Sequence, residues 1–203
     1  MRRDELVRRI QSVPLPPDPS ASLEQVATPA EAAANLLAAL DRYVGLGGRS
    51  VLDLGCGTGR LAIGAALIGA DPVTGVEVDP ALVAIAREAA RANDATVNFE
   101  ISDVAKWGRA ADVVVMNAPF GAQRRHADRP FWERAFTLAQ RSIGAFASFE
   151  SRNFIARLAL DRGAHVVEVE PVSWNLPRTF PHHRAANVRL AVDRWVLEAE
   201  SKP

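Results

Sequence analysis

Short apolar runs alternate with amphipathic segments along most of this chain. Apolar runs of strand length lie at 49–54, 73–78, 97–101, 112–116, 143–149, 164–170 and 187–197. Segments with apolar residues at helical spacing lie at 59–68, 80–92, 129–140 and 151–161. This alternation predicts an α/β fold, in which a mostly parallel seven-stranded sheet is covered by helices on both faces.

The first part of the chain precedes this alternation. Arg3 to Ser12 has apolar side chains on one side of a helix, and four prolines between positions 14 and 19 break regular structure after it. Thr28 then suits the cap of a second helix that begins at Pro29. The expected division is an N-terminal helix and proline-rich extension over residues 1–22 and one domain over residues 23–203.

Composition narrows the class of protein. The chain has 203 residues, of which 48% are hydrophobic, and this suits one domain with a full core. Lys and Arg number 24, as do Asp and Glu, so the net charge does not indicate a general polyanion binder but leaves room for a local basic face. No long apolar run and no signal peptide is evident, which favours a cytoplasmic protein. The single cysteine, Cys56, excludes an internal disulfide and a cysteine-built zinc site.

A glycine-rich turn follows the first predicted strand. That strand ends at Asp53, and Gly55, Gly57 and Gly59 come next, before a predicted helix. The G-x-G-x-G spacing differs from the G-x-G-x-x-G of dinucleotide-binding folds. Main-chain N–H groups at a helix start favour an anionic or polar ligand. A nicotinamide-binding or purely structural turn remains the alternative at this point.

Polar side chains close four of the predicted strands. These are Asp53, Glu77, Asp103 and Asn117. Because ligands of open parallel sheets bind outside the carboxyl ends of the strands, we expect these four side chains to meet at one site.

The sequence Asn117-Ala118-Pro119-Phe120 leaves the fourth predicted strand. The Asn117 side-chain oxygen and the Ala118 carbonyl can each accept one hydrogen of a planar amine, and Phe120 can stack on its ring. The segment resembles the N/D/S-P-P-Y/F/W motif of methyltransferases that act on adenine, cytosine or glutamine amides, although alanine replaces the usual proline at 118. A strand-ending turn with a core phenylalanine is the alternative.

The glycine turn resembles motif I of the class I S-adenosylmethionine-dependent methyltransferases. Three further segments narrow the resemblance: Leu23-Glu24-Gln25 with Thr28-Pro29, Asn117 to Gly121, and Trp174 to Arg184. Together they are similar to the methyltransferase-like 5 family, which methylates adenine N6 in small-subunit ribosomal RNA. The resemblance implies a Rossmann-like fold with an antiparallel last strand, and S-adenosylmethionine as the cofactor.

The resemblance also implies the residues of the site. Glu77 stands where the family often has aspartate, and it would hold the ribose hydroxyls of the cofactor. The expected catalytic segment is Asn117, Ala118, Pro119 and Phe120. The expected cofactor-binding residues are Gln25, Thr28, Asp53, Gly55, Cys56, Gly57, Thr58, Arg60, Glu77, Val78, Asp103 and Asn117.

Two segments carry groups suited to RNA. Arg124, Arg125 and His126 follow the catalytic motif, and Phe180, His182, His183 and Arg184 lie near the end of the chain. Solvated loops without a ligand are the alternative. No Cys, Asp or Glu accompanies the two adjacent histidines closely, so no metal site is expected there.

Two rival functions stay open at this point. One is a glutamine-amide methyltransferase acting on protein, although such enzymes usually carry a longer N-terminal helical domain. The other is a non-catalytic RNA-binding protein with a methyltransferase fold. The family resemblance further implies a small zinc-binding activator protein as a partner, and no membrane association is expected.

Overall fold

The computed structural model describes residues 1–17, 19–20, 24–121, 126–177 and 187–199. The helices are α1 Arg3–Ser12, α2 Ala30–Val44, α3 Arg60–Leu67, α4 Pro80–Ala92, α5 Arg129–Leu138 and α6 Arg152–Asp161. The strands are β1 Val51–Leu54, β2 Val73–Glu77, β3 Asn98–Ile101, β4 Ala111–Asn117, β5 Ala139–Ser148, β6 His165–Pro177 and β7 Asn187–Glu198. The predicted alternation of strands and helices is confirmed.

The strands form one seven-stranded sheet in the order β3-β2-β1-β4-β5-β7-β6. Strands β1 to β5 are parallel to one another, and β7 is antiparallel to both β5 and β6. This confirms the Rossmann-like sheet with an antiparallel last strand. The strand order reverses between β1 and β4, so the carboxyl ends of these two strands flank the crevice where such sheets bind ligands.

Strand β6 is longer than predicted. The pattern suggested an end at position 170, before Pro171, but the strand continues to Pro177. Pro171 has no N–H to donate to a neighbouring strand. A strand can tolerate this at the edge of a sheet, which is where β6 lies. Val192 of β7 is opposite both Ser148, the last residue of β5, and Val172 of β6. The β6–β7 pair therefore extends beyond β5 on the carboxyl side of the sheet.

The core has one layer on each face of the sheet. Strand β4 shows why, since Val113 and Val115 pack with α1, α2 and α3 while Val114 and Met116 pack on the opposite side with α5 and α6. In the second layer Trp132 packs edge-to-face on Trp195, with ring centroids 6.3 Å apart. Within the residues that the structure describes, no helix is long and apolar enough to span a bilayer.

Helix α1 packs into the first of these layers. Leu6 and Ile10 are buried against α2 and α3, where Gly64 has no side chain. A Cβ on Gly64 would lie 2.6 Å from Leu37 Cδ1 and 2.9 Å from Ile10 Cδ1, so the close approach of α1 requires glycine there. The domain boundary near residue 22 remains a prediction, but the helix before it shares the core of the folded domain.

Candidate active site

A cavity of about 650 Å³ lies at the carboxyl edge of β1, β2 and β4. Every residue predicted to hold the cofactor lines it: Gln25, Thr28, Asp53, Gly55, Cys56, Gly57, Thr58, Arg60, Glu77, Val78, Asp103 and Asn117. The structure thus brings together residues from four strand ends and from the segment before α2. Their contribution to binding remains a prediction.

The glycine turn has a backbone that other residues would strain. Gly55 has φ +70°, and a Cβ there would lie 2.7 Å from Cε1 of Phe131. Gly59, the last residue before α3, has φ +90°, and a Cβ there would lie 2.8 Å from Cζ of Phe99. Between them, burial raises the pKa of the Cys56 thiol well above its usual range, so the thiol stays neutral and is not a nucleophile.

Asp53 at the end of β1 is buried, and one of its two carboxylate oxygens accepts a hydrogen bond within the described residues. Oδ2 accepts a hydrogen bond from the Ala62 N–H at 3.0 Å, and Oδ1 has no partner among the described residues. Burial raises the pKa of Asp53 to about 7, the Ala62 N–H partly opposes this shift, and the charge of Glu77 adds to it. A cationic ligand group beside Oδ1 would favour the ionised form.

Glu77 at the end of β2 braces the glycine turn. Oε2 accepts a hydrogen bond from the Gly57 N–H at 3.0 Å, and Oε1 accepts from the N–H groups of Val78 and Asp79 at 2.8 and 3.0 Å. A carboxylate offers about four acceptor positions. Three of them bind main chain here, which leaves one on Oε2 for a ligand hydroxyl.

Arg60 is a buried cation at the first residue of α3. Its two Nη atoms donate to the carbonyls of Thr28 and Val13, at 3.0 and 2.9 Å, and Nε has no partner in the described ranges. Burial lowers the pKa of Arg60 below its usual value. Within the part of the chain that the structure describes, no carboxylate pairs with it. Its net charge is therefore left for a ligand.

The predicted cap at Thr28 is wrong. Helix α2 begins at Ala30, with Pro29 in the capping position and no side chain completing the cap. The Thr28 carbonyl instead accepts the bond from Arg60. This contact explains the shift by one residue, because it holds the peptide that precedes the helix in an extended path along the cavity.

The segment 24–28 forms one wall of the cavity and contacts three sides of it. Gln25 Nε2 donates to Asp79 Oδ2 at 3.1 Å, which joins the wall to the start of α4. The Val26 carbonyl accepts a bond from Asn117 Nδ2 at 2.8 Å. The third contact is the Thr28–Arg60 bond described above. The wall therefore contacts side chains from the start of α4, from β4 and from α3.

Asn117 at the end of β4 has a fixed amide. With Nδ2 bound to Val26, its Oδ1 is buried and has no partner among the described residues. Pro119 also lines the cavity, while Ala118 is buried beside it, 1% exposed. The arrangement leaves one oriented acceptor atom, as an amine substrate requires.

Phe120 does not line the cavity, although it was expected to stack on the substrate ring. The Phe120 ring packs edge-to-face on Trp174, with centroids 5.9 Å apart, and joins the core on that side. Phe131 of α5 lines the cavity instead, against Gly55. The requirement for glycine at position 55 indicates that another side chain packs closely against it, but the sequence alone does not identify that side chain.

Some cavity residues were not among the predicted site residues. The apolar side chains of Leu61, Leu82 and Val104 line the cavity, and so does the acid Glu24. Only the fold shows that each of them faces the site.

Of the residues predicted to contact RNA, the structure describes His126. His126 is exposed and lines the cavity just before α5. Arg124, Arg125, Phe180, His182, His183 and Arg184 lie outside the described residues.

The reversed strand order at β1 and β4, the glycine turn and the acid after β2 define a class I methyltransferase, an enzyme fold that uses S-adenosylmethionine. The model of the ribosomal protein L11 methyltransferase (PrmA) family matches residues 31–118. A magnesium protoporphyrin IX methyltransferase from Synechocystis, solved with bound S-adenosylmethionine, shares the fold at 19% identity and a TM-score of 0.68, over 97% of this chain and 91% of that one.

Two relatives match nearly the whole chain more closely. The rRNA N(6)-adenosine-methyltransferase Mettl5 of Drosophila melanogaster is 31% identical over 89% of this chain and 88% of that protein. A crystal structure from Pyrococcus horikoshii, described as a candidate RNA methyltransferase, is 33% identical with a TM-score of 0.90 over 98% of both chains. The chain belongs to the methyltransferase-like 5 family, as its motifs predicted.

The raised pKa of Asp53 makes stability depend on pH. The unfolded carboxyl ionises near pH 3.8 and the folded one near 7, so between these values only the folded protein holds the proton. The free energy of unfolding should therefore fall as pH rises through this window, by at most about 1.4 kcal/mol per pH unit, and level off above it. Asp53→Asn should remove this contribution. Urea unfolding at several pH values would measure it, and parallel profiles for the two proteins would contradict the assignment.

Proposed function

We propose that this protein transfers a methyl group from S-adenosylmethionine to N6 of adenine in RNA, with small-subunit ribosomal RNA as the substrate. The observation that carries the proposal is the oriented, unpartnered Oδ1 of Asn117 in a cavity that also holds Asp53 and Arg60. The full-length relationship to an rRNA N(6)-adenosine-methyltransferase supports the choice of acceptor.

The charges in the cavity suit the cofactor. S-adenosylmethionine ends in an α-amino acid, which carries an ammonium and a carboxylate. Asp53 and Arg60 are both buried, do not pair with each other in the described residues, and each keep one polar atom without a partner. We assign the ammonium to Asp53 and the carboxylate to Arg60, because a buried charge is costly unless it is compensated.

The rest of the cavity suits the nucleoside part. Glu77 Oε2 keeps one acceptor position for a ribose hydroxyl, and Leu82 and Val104 offer apolar surface for a purine ring. Asp103 stands at the same edge, with Oδ1 already accepting from the Ala105 N–H at 2.9 Å. When bound, the cofactor supplies a methyl group on a sulfonium, which is a good leaving group.

Asn117 would orient the acceptor amine. Its Oδ1 accepts one hydrogen of the adenine amine and the Ala118 carbonyl accepts the other, so that the nitrogen lone pair is turned out of the ring plane toward the methyl carbon. The Val26 carbonyl holds Asn117 Nδ2 and prevents the amide from rotating. Alanine at 118 preserves this arrangement because the contact uses the main chain. The side chains therefore act by alignment rather than as a strong base.

An adenine within folded RNA must leave its stack to reach this cavity. His126 is exposed at the mouth, and we propose that it contacts the RNA together with Arg124, Arg125, Phe180, His182, His183 and Arg184. These residue types bind phosphates and stack on unpaired bases.

The rival protein-methylating function has weaker support. The match to the L11 methyltransferase model covers residues 31–118, which include the strands that form the cofactor side of the cavity. The similarity to the rRNA enzyme extends over 89% of the chain. A decayed, non-catalytic site is disfavoured for a different reason. Asp53, Arg60 and Asn117 each have a buried polar atom without a hydrogen-bond partner among the described residues. Such atoms lower the stability of the fold, and a protein without a ligand here would have no use for them.

The acceptor role of Asn117 predicts a selective loss. Asn117→Ala should lower turnover by at least about 100-fold, the order expected when one oriented group is removed, while the Kd of S-adenosylhomocysteine changes little. The assay uses labelled S-adenosylmethionine, unmodified small-subunit ribosomal RNA and nucleoside mass spectrometry. Label on a protein glutamine instead of N6-methyladenosine would favour the rival enzyme. Equal loss of turnover and cofactor affinity would contradict the assigned role.

The carboxylate role of Arg60 predicts a difference between two ligands. Arg60→Met should raise the Kd of S-adenosylhomocysteine by on the order of tenfold, the usual worth of a charge-assisted hydrogen bond. The Kd of 5′-methylthioadenosine, which lacks the amino-acid end, should stay the same. Calorimetry on both ligands separates contact from folding, because a misfolded variant loses both. Equal weakening of the two ligands, in a variant that keeps the melting temperature of the wild type, would reject the assignment.

The family resemblance implies a small zinc-binding activator that adds a strand to the sheet. We place it at β3, which pairs with β2 at an edge of the sheet and exposes Ile101. A protein purified from its native cells should carry a small zinc protein, and Ile101→Lys should release it without changing the melting temperature of the isolated chain by more than a few degrees. Full activity of the isolated chain on RNA would argue against the partner.

A further inference from the structure

We propose that Phe149, held beneath the guanidinium of Arg152, is a stacking platform for an unpaired nucleotide that flanks the target adenine. The inference rests on the proposed RNA substrate. It concerns a surface outside the cavity, formed by the turn that follows β5.

The turn after β5 lies beside β4, the strand that ends at Asn117. Strand β5 is the parallel neighbour of β4, and Phe146 of β5 is opposite Asn117. Strand β5 ends at Ser148, and residues Phe149–Ser151 form a short 3₁₀ turn before α6. At about 3.3 Å per residue, Phe149 lies roughly 10 Å farther along the strand direction than Asn117. Neighbouring nucleotides of a base held at Asn117 would reach this distance.

A hydrogen bond joins this turn to the mouth of the cavity. Ser151 Oγ donates to Asp128 Oδ2 at 2.5 Å, and Asp128 is buried. Asp128 directly follows Ala127 and precedes Pro130, which both line the cavity. The position of Phe149 is therefore fixed relative to the entrance rather than set by a free loop.

Phe149 is both exposed and rigidly supported. Its residue surface is 59% exposed, and the Arg152 Cζ lies 4.3 Å from the ring centroid. Arg152 is itself fixed, since Nε and Nη2 donate to the two carboxylate oxygens of Asp193 at 2.9 and 2.7 Å. Asp193 is 1% exposed. A ring backed by an immobile cation loses little conformational freedom when a base stacks on it.

The charges around the ring favour stacking over phosphate attraction. The charge of Arg152 is balanced by Asp193, and Glu150 beside Phe149 is an exposed acid. Arg129 packs on a different ring, with its Cζ 5.0 Å from the centroid of Phe154. With so little net positive charge, a contribution from Phe149 should depend weakly on salt, as base–aromatic stacking does, whereas phosphate contacts weaken steeply with salt.

Leu160 provides a matched control for exposure alone. It is a large apolar residue of α6 that is 78% exposed, more than Phe149, but its side chain has no aromatic ring on which a base could stack. Loss of general surface hydrophobicity should affect both positions alike. Loss of a base platform should affect only Phe149.

The test measures the binding of an unstructured, adenine-containing single-stranded RNA oligonucleotide to the full chain and to its variants Phe149→Ala, Phe149→Trp and Leu160→Ala. Stacking of one base contributes about 1–3 kcal/mol, so Phe149→Ala should weaken RNA binding by roughly 5- to 150-fold. Phe149→Trp should restore binding, and Leu160→Ala should leave it unchanged. The slope of binding against salt should be the same for Phe149→Ala and the wild type, as should the Kd of S-adenosylhomocysteine.

The outcomes separate this inference from the proposed function. RNA binding without methylation, by wild-type protein that carries its copurified partner, would refute the proposed reaction, while the loss in Phe149→Ala would still establish the platform. Equal RNA binding by Phe149→Ala and Leu160→Ala would refute the platform, even if both variants methylate RNA. Loss of a copurifying protein from Phe149→Ala, with RNA binding intact, would show that the ring serves a protein contact and would also overturn the inference.

Discussion

The site depends on the carboxylate of Glu77, which binds three main-chain N–H groups from two separate segments. One of them belongs to the glycine turn after β1, and the other two belong to the start of the turn after β2. A single side chain thus fixes two loops that have no regular structure of their own. The glycine turn can then remain open to a ligand, since its conformation is set by Glu77 and does not depend on the ligand.

The site also contains two buried ionisable side chains of opposite charge that do not pair with each other, which lowers the stability of the fold. Asp53 and Arg60 are buried in the same cavity, and an ion pair between them would relieve the desolvation of both. Each is instead held by neutral main-chain partners: Ala62 for the aspartate, and the carbonyls of Val13 and Thr28 for the arginine. The fold therefore preserves two opposite charges at a fixed separation, which suits a zwitterionic ligand better than a singly charged one.

The features of this structure that the sequence predicted correctly depend on the local pattern of apolar and polar residues. Strands and helices could be predicted because their spacing decides which face is buried, and Asp53, Glu77 and Asn117 could be grouped because parallel strands end at one edge. The packing of Phe120 away from the cavity could not be predicted, since it depends on Trp174, which approaches from the last hairpin. The bond between Val26 and Asn117 was equally hidden, because a main-chain acceptor leaves no mark in the sequence.

That bond has a consequence for how the enzyme can change. The partner of the Asn117 amide is the Val26 carbonyl, and almost any residue at 26 would present the same oxygen. Point substitutions at that position leave the acceptor geometry intact, whereas a one-residue insertion or deletion between 24 and 28 would displace it. The orientation of the catalytic amide is thus robust to sequence drift but sensitive to loop length. Redesign for a different acceptor would have to vary the length of this segment rather than its side chains.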